Sequence, residues 1–202
     1  ISTFKLLTRG ADLHIYGPKG LKEIITLQMK LSESWTNYKL IFHELSSKSS
    51  ECIFEDDKVQ VYTIPLNHRI YTNGFLFKEK SYQRKLNITA VGEAKIDMAY
   101  YNKLQQGKDV VNEDGKLINN EDVTFQGKKS LSYAFCSDTM YDESIIPMIS
   151  GVHVLYHETT FLEMHAELAT STKHSTAKQA ARIAKQADVK KLIIGHYSTR
   201  YG

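Results

Sequence analysis

The sequence is poor in several residue types, and each scarcity closes off a class of function. Two cysteines, Cys52 and Cys136, stand far apart in 202 residues. They form neither a CxxC pair nor a disulfide framework, which argues against a thiolate zinc knuckle and against a stapled secreted fold, and favours a reducing, cytoplasmic setting. Prolines number three, Pro18, Pro65 and Pro147, so no Pro-rich linker or recognition tract exists. No apolar run is long enough to cross a bilayer, and the opening residues lack a secretory leader pattern. Neither charge sign dominates: 26 Lys and Arg face 23 Asp and Glu, a formal net charge of +3. Bulk charge that small does not mark a nucleic-acid binder, so any partner has to be argued from where the charges sit.

What is present suits a folded α/β domain. Hydrophobic residues make up 42% of the chain and charged residues 24%, enough for a real core and a soluble surface. Strand patterns are predicted at 13–16, 38–45, 59–64 and 75–79, with a helix at 21–31. After 132, strands at 132–137, 152–156 and 192–195 alternate with a short helix near 144–149 and an amphipathic helix at 175–187 opened by a serine cap, an order typical of layered α/β folds. Between them, 84–128 reads as an inserted arm in which apolar residues are sparse around a helical piece at 96–104. Five basic and two acidic residues occupy Arg84 to Lys108, and one basic and five acidic occupy Asp109 to Asp122. A solvated insertion accounts for such a division as well as a binding surface does.

Polar residues recur where strands end. His68 follows one strand, Asp138 another, His157 and Glu158 a third, and His196 the run LeuIleIleGly, while His174 stands just before the last helix. Each alone has an ordinary reading as a hydrogen-bonding or turn residue. Together, two imidazoles and a carboxylate delivered by separate strands are the donors a pair of divalent metals prefers. Spacing adds little, since no HxH or HxxxH pair occurs among these positions. His157 is read as structural, His153 and His165 as surface or packing residues, and Tyr197 and Tyr201 as core aromatics.

The phrases "SDT", "HETTF", "KHSTAKQAA" and "LIIGHYSTRY", in that order, resemble the ribonuclease Z (tRNase Z) family of metallo-β-lactamase-fold endonucleases, which trim the 3′ end of precursor tRNA. The stretches "ISTFKLLTRGADLHIYGPKGL" and "PLNHRIYTNGFLFKE" extend the resemblance over nearly the whole chain. It implies an αββα sandwich, here partial, with 84–128 as a protruding exosite-like arm. It implies that His68 and His196 are terminal ligands of two zinc ions bridged by Asp138, an arrangement that activates water for in-line attack on a phosphodiester. It makes His174 the catalytic histidine and Glu158 the acid that holds it, since a carboxylate partner favours a ring able to protonate the departing 3′ oxygen. Ser198 and Arg200 match phosphate contacts, and Arg84, Lys85, Lys95, Lys103 and Lys108 become candidates for gripping tRNA. A homodimer, with one subunit's arm serving the other's site, is also implied.

Two departures qualify the resemblance. The family's main metal motif, HxHxDH, is absent, and three ligands cannot hold two metals; an upstream segment is therefore expected to complete the site, and the chain alone to be inactive. The arm contains no proline where the family has a Gly-Pro-rich tip. Two other readings stand beside the first: a metallo-β-lactamase-fold phosphodiesterase acting on small diesters, and a catalytically dead RNA-binding paralogue. Charge placement favours a polyanion modestly. Asp138 to Glu167 carries six acidic and no basic side chains, whereas Lys173 to Arg200 carries seven basic and one acidic, an acidic pocket beside a basic rim.

Overall fold

A computed structural model describes residues 1–201. The N-terminal part comprises α1 (Ser2–Leu6), β1 (Leu13–Pro18), α2 (Leu21–Leu31) and β2 (Leu40–Leu45). β1 and β2 pair in parallel as a separate two-stranded sheet, with α2 as the crossover that parallel pairing requires. On that sheet His14 Nδ1 lies 2.8 Å from His43 Nε2, and Tyr16 stacks on His43.

The main sheet begins with β3 (Cys52–Glu55), β4 (Val59–Leu66) and β5 (Thr72–Glu79), an antiparallel meander. The inserted segment follows as β6 (Lys85–Leu86), α3 (Ile88–Glu93), α4 (Tyr101–Gln105), β7 (Val110–Val111), β8 (Leu117–Ile118), α5 (Asn120–Val123) and β9 (Thr124–Phe125). The chain then returns through β10 (Ser132–Cys136), α6 (Ile146–Ile149), β11 (Val154–Glu158), α7 (Ala166–Thr172), α8 (Ala177–Gln186) and β12 (Lys191–Gly195). The six strands lie in the order β12-β11-β10-β5-β4-β3.

Direction decides where the functional groups emerge. β10, β11 and β12 run parallel, and β10 is antiparallel to β5, which is antiparallel to β4. So β4 points the same way as β10 to β12, and the C-terminal ends of all four reach one edge of the sheet. His68, Asp138, Glu158 and His196 come from those four ends.

Strand alternation sends Ile64, Leu76, Ala134 and Leu155 to one face, where they pack with Ile145 and Ile149 and with Ala180, Ile183 and Ala184 of α8. Burying each large aliphatic side chain contributes about 1.5–3 kcal/mol. Helix α8 starts at Thr176, whose hydroxyl accepts from the Gln179 amide while the Gln179 side chain accepts from the Thr176 amide, a full capping box. The expected serine cap is thus corrected: Ser175 is buried, and its hydroxyl donates to the Thr139 carbonyl at 2.7 Å instead. Cys136 is a core atom, its thiol pushed up to about 12 by burial and therefore inert. The opposite face carries Phe77, Phe135 and Ile193, each more than a third exposed, with Phe135 stacked on Tyr156. At Gly195 any Cβ would run into the Tyr156 ring, so only glycine lets β12 pass beneath that side chain.

The inserted segment differs from the sequence expectation of sparse apolar content around one helix. Val91, Ile96, Leu104, Val110, Ile118 and Val123 form a second, separate core, sealed by Asn120, whose side-chain amide donates to the Leu104 carbonyl at 2.5 Å. The expected helix at 96–104 is resolved into a 3₁₀ turn at Met98–Tyr100 and the short α4, because Asp97 caps the turn by accepting from the Ala99 amide. β3 is also additional to the elements expected. Among the described residues no helix is long and apolar enough to cross a membrane.

Candidate metal centre

The last residue of β11, Glu158, is fully buried and organises the site. Its Oε1 accepts the Thr139 amide at 2.7 Å and faces His174 Nδ1 at 2.9 Å. Its Oε2 accepts the Thr160 hydroxyl at 2.6 Å and the Ser175 amide at 3.1 Å. A carboxylate taken out of water must be satisfied in this way, or burying it would cost several kcal/mol. Glu158 therefore ties together the loop after β10, its own loop and the loop before α8.

Asp138 and His196 emerge on turns with left-handed backbone conformations, φ 56° and 60°. Asp138 Oδ1 sits 3.1 Å from His196 Nε2 and 4.0 Å from His174 Nδ1. The other nitrogen of His196, Nδ1, pairs with the Thr160 hydroxyl at 2.8 Å. One donor atom from each of Asp138, Glu158, His174 and His196 falls within 4.8 Å of the others. Not all four are free to bind a cation: Glu158 has spent both oxygens on N–H and O–H donors, and His174 has turned Nδ1 to Glu158. Asp138 and His196 remain as the open donors.

His68 stands beside this cluster, its ring centroid 5.3 Å from that of His174, with Nδ1 3.0 Å from the Lys173 carbonyl. Each candidate ligand histidine thus has Nδ1 held by a protein group outside the donor set, the arrangement that orients imidazoles toward a metal, and the Nε2 of His196 faces Asp138. A hard oxygen and two such imidazoles fit a borderline divalent cation such as zinc. The donor set is partial for a two-metal site, and further ligands have to come from groups beyond these three.

The remaining sequence candidates distribute as follows. The Ser198 amide donates to the Thr160 carbonyl at 3.2 Å, and its hydroxyl accepts the Arg200 amide, which places both residues on the turn beyond His196, with Arg200 exposed. Tyr197 and Tyr201 are not core aromatics: they are 64% and 38% exposed, since the chain has left the sheet by then. The Tyr201 hydroxyl instead accepts from the Leu162 amide and pairs with His165 Nδ1. His153 accepts from the Ser132 amide. His157 is buried in β11 with Nδ1 on the Glu158 carbonyl, its Nε2 has no partner, and burial holds its pKa below the usual histidine value.

Basic residues of the inserted segment lie well away from these loops in topology. Arg84 is half-buried and donates to the Thr124 hydroxyl at 2.6 Å, and Lys95 pairs with Asp114 at 3.1 Å. Lys103 lies over the Tyr100 ring, while Lys85 and Lys108 are exposed. Part of the C-terminal basic rim is likewise engaged locally, Lys178 with Glu163 and Lys190 with Asp188.

Sequence reasoning missed Thr160, which bridges Glu158 to His196, and the Thr139 and Ser175 amides. Thr160 was legible in principle: it lies two residues past Glu158 inside "HETTF", and a threonine there can reach back to the carboxylate.

No family model matches the chain. Over its full length the chain is 47% identical to a Ribonuclease Z of Cytophaga hutchinsonii and 42% identical to those of Bacteroides fragilis and Porphyromonas gingivalis. It spans 64–66% of the length of these curated relatives. Among solved structures, human tRNase Z, short form, superposes with a TM-score of 0.65 at 19% identity, over 99% of this chain and 66% of that one. The metallo-β-lactamase fold protein YhfI from Bacillus subtilis gives 0.54 at 14%, over 98% and 57%. These likenesses identify the fold as that of the metallo-β-lactamases.

Proposed function

From the premise that the chain belongs to the ribonuclease Z family, we propose that it is part of a zinc-dependent endoribonuclease that removes the 3′ trailer of precursor tRNA. Relatives named Ribonuclease Z supply the activity class. The observation that carries the reading is the convergence of Asp138 and His196, 3.1 Å apart, beside a His174–Glu158 pair on loops from one sheet edge.

In this reading His68, Asp138 and His196 hold metal, which when bound acidifies a water and stabilises charge on the phosphate. Asp138 would be the one anionic donor of the three. His174, held through Nδ1 by Glu158, keeps Nε2 for the departing 3′ oxygen and passes it a proton. Burial of Glu158 fixes the ring without competing for the cation. Ser198 and Arg200, on the turn that follows His196, orient the scissile phosphate, the guanidinium by a forked pair of hydrogen bonds. The exposed Lys85, Lys103 and Lys108, together with Arg84 and Lys95, contact the tRNA body. A cytoplasmic homodimer with arms exchanged between subunits is part of the same proposal.

The test is a pair of substitutions in the full-length protein, read by metal content and by cleavage of a precursor tRNA. Asp138→Ala removes metal and cleavage together. His174→Ala leaves metal near the wild-type level and slows cleavage about 10²–10⁴-fold, the span of general acid catalysis. Normal zinc and normal cleavage in either variant would overturn the assignment.

A further inference from the structure

His68 is the candidate ligand with the least obvious support. It lies on the loop beyond β4, next to the exposed Arg69 and Ile70, and outside the tight group formed by Asp138, Glu158, His174 and His196. A ligand on such a loop needs its ring fixed by something else.

We propose that Lys173 is the residue that positions His68 for metal, acting at once through its carbonyl and its ammonium; this rests on the reading of the site as a metal centre. The Lys173 carbonyl lies 3.0 Å from His68 Nδ1. Accepting that N–H leaves the lone pair on Nε2, the nitrogen facing away from the carbonyl. The Lys173 ammonium donates to Asn67 Oδ1 at 3.2 Å and contacts Met140 sulfur at 3.2 Å. Asn67 and Met140 are already joined, the Met140 amide donating to the Asn67 carbonyl at 2.9 Å. One side chain and its own carbonyl therefore brace two consecutive residues, Asn67 and His68, against the loop that follows Asp138.

Backbone conformation strengthens the argument. Lys173 ends α7 in the left-handed region, φ 63° and ψ 44°, a position where glycine is the relaxed choice and a side chain is strained. That turn is what aims the carbonyl at His68. A lysine where the backbone favours glycine is a local conflict of the kind expected near functional sites. Glycine would preserve the carbonyl's direction and lose the ammonium, so the two halves of the device can be separated.

The experiment compares wild type with Lys173→Gly, Lys173→Ala and Lys173→Arg in the full-length protein. Long-range proton–nitrogen NMR of the His68 ring, in metal-free protein, reads which nitrogen is protonated. Cobalt titration, followed by visible absorption, reads affinity. Wild type shows the proton on Nδ1. Lys173→Gly and Lys173→Ala lose the ammonium's hold on Asn67 and weaken cobalt binding about 10–100-fold, with circular dichroism unchanged and, in Lys173→Gly, the Nδ1 proton still held by the carbonyl; Lys173→Arg recovers most of the affinity. Unchanged cobalt affinity in Lys173→Gly, or a wild-type His68 proton on Nε2, would overturn the inference while leaving the metal centre standing. Failure of wild type to bind cobalt would remove the metal centre, and the metal-free tautomer measurement would still decide whether Lys173 sets His68.

Discussion

The two hydrophobic clusters of this chain differ in what they are attached to. Behind the main sheet, Ile64 lies on the strand that leads to His68 and Leu155 on the strand that ends in Glu158, and Ile183 packs against them from the helix that begins just past His174. In the inserted segment, Val91, Leu104 and Val123 pack only on neighbours in that same segment, and the side chains outside them are mostly exposed cations and carboxylates. The first cluster sets the geometry of a site a few residues away. The second holds up a surface, and the chain joins it to the main sheet through β5 and β10. Chemistry is therefore expected to depend on one core and substrate affinity on the other.

Truncating one large side chain in each core breaks the comparison most directly. Leu155→Ala and Leu104→Ala each cost about 2–5 kcal/mol of local stability. Leu155→Ala is expected to lower the main melting transition and to slow hydrolysis of both precursor tRNA and bis(p-nitrophenyl) phosphate. Leu104→Ala should weaken tRNA binding and leave the small diester untouched. Equal loss of small-diester hydrolysis in both variants would show that the two cores are one mechanical unit.

A smaller effect separates charge from packing within the arm. Reversing the exposed Lys85 and Lys103 together to glutamate leaves the melting temperature unchanged and weakens precursor tRNA binding. The salt slope should flatten by about 0.7–0.9 for each phosphate that is no longer neutralised. Unaltered affinity and slope would remove the arm from the tRNA interface, and reversing Lys95, already paired with Asp114, should do less.

The smallest expected effect concerns acid. His157 is buried in the main core with its pKa lowered by burial, and the ordinary value for the side chain is 6.5. The unfolded chain then binds this proton at a higher pH than the folded one does. Stability is fully present above the ordinary value and falls as the pH drops below it. A His157→Gln variant should show a shallower loss of melting temperature on acidification from neutral pH than wild type. An identical slope would mean that His157 is solvated in the native state.

The gathering of His68, Asp138, Glu158 and His196 was legible because each stands at or just past the end of an apolar strand run, and strand direction then does the rest: four ends on one edge. The run LeuIleIleGly, with His196 at its tip, is the clearest case. What the sequence could not convey was the division of labour within the cluster. Nothing in "HETTF" reveals that Thr160 reaches both Glu158 and His196, since that depends on the β11 and β12 ends lying side by side. The second core was illegible for a different reason: five of its six apolar residues are spread over elements of two to six residues and Ile96 lies between elements, too short for any periodicity to register. The serine cap was misplaced by one residue, because Ser175 and Thr176 are equivalent as cap formers and only the buried Thr139 carbonyl claims the first.

Among the described residues, Asp138, Lys173 and His196 share a left-handed backbone with four other non-glycine residues. Each would relax if replaced by glycine, so loss of activity at these positions is expected to come with greater heat resistance. A collection of variants ranked by thermal shift would then promote the silent ones, and only an assay of turnover would expose them.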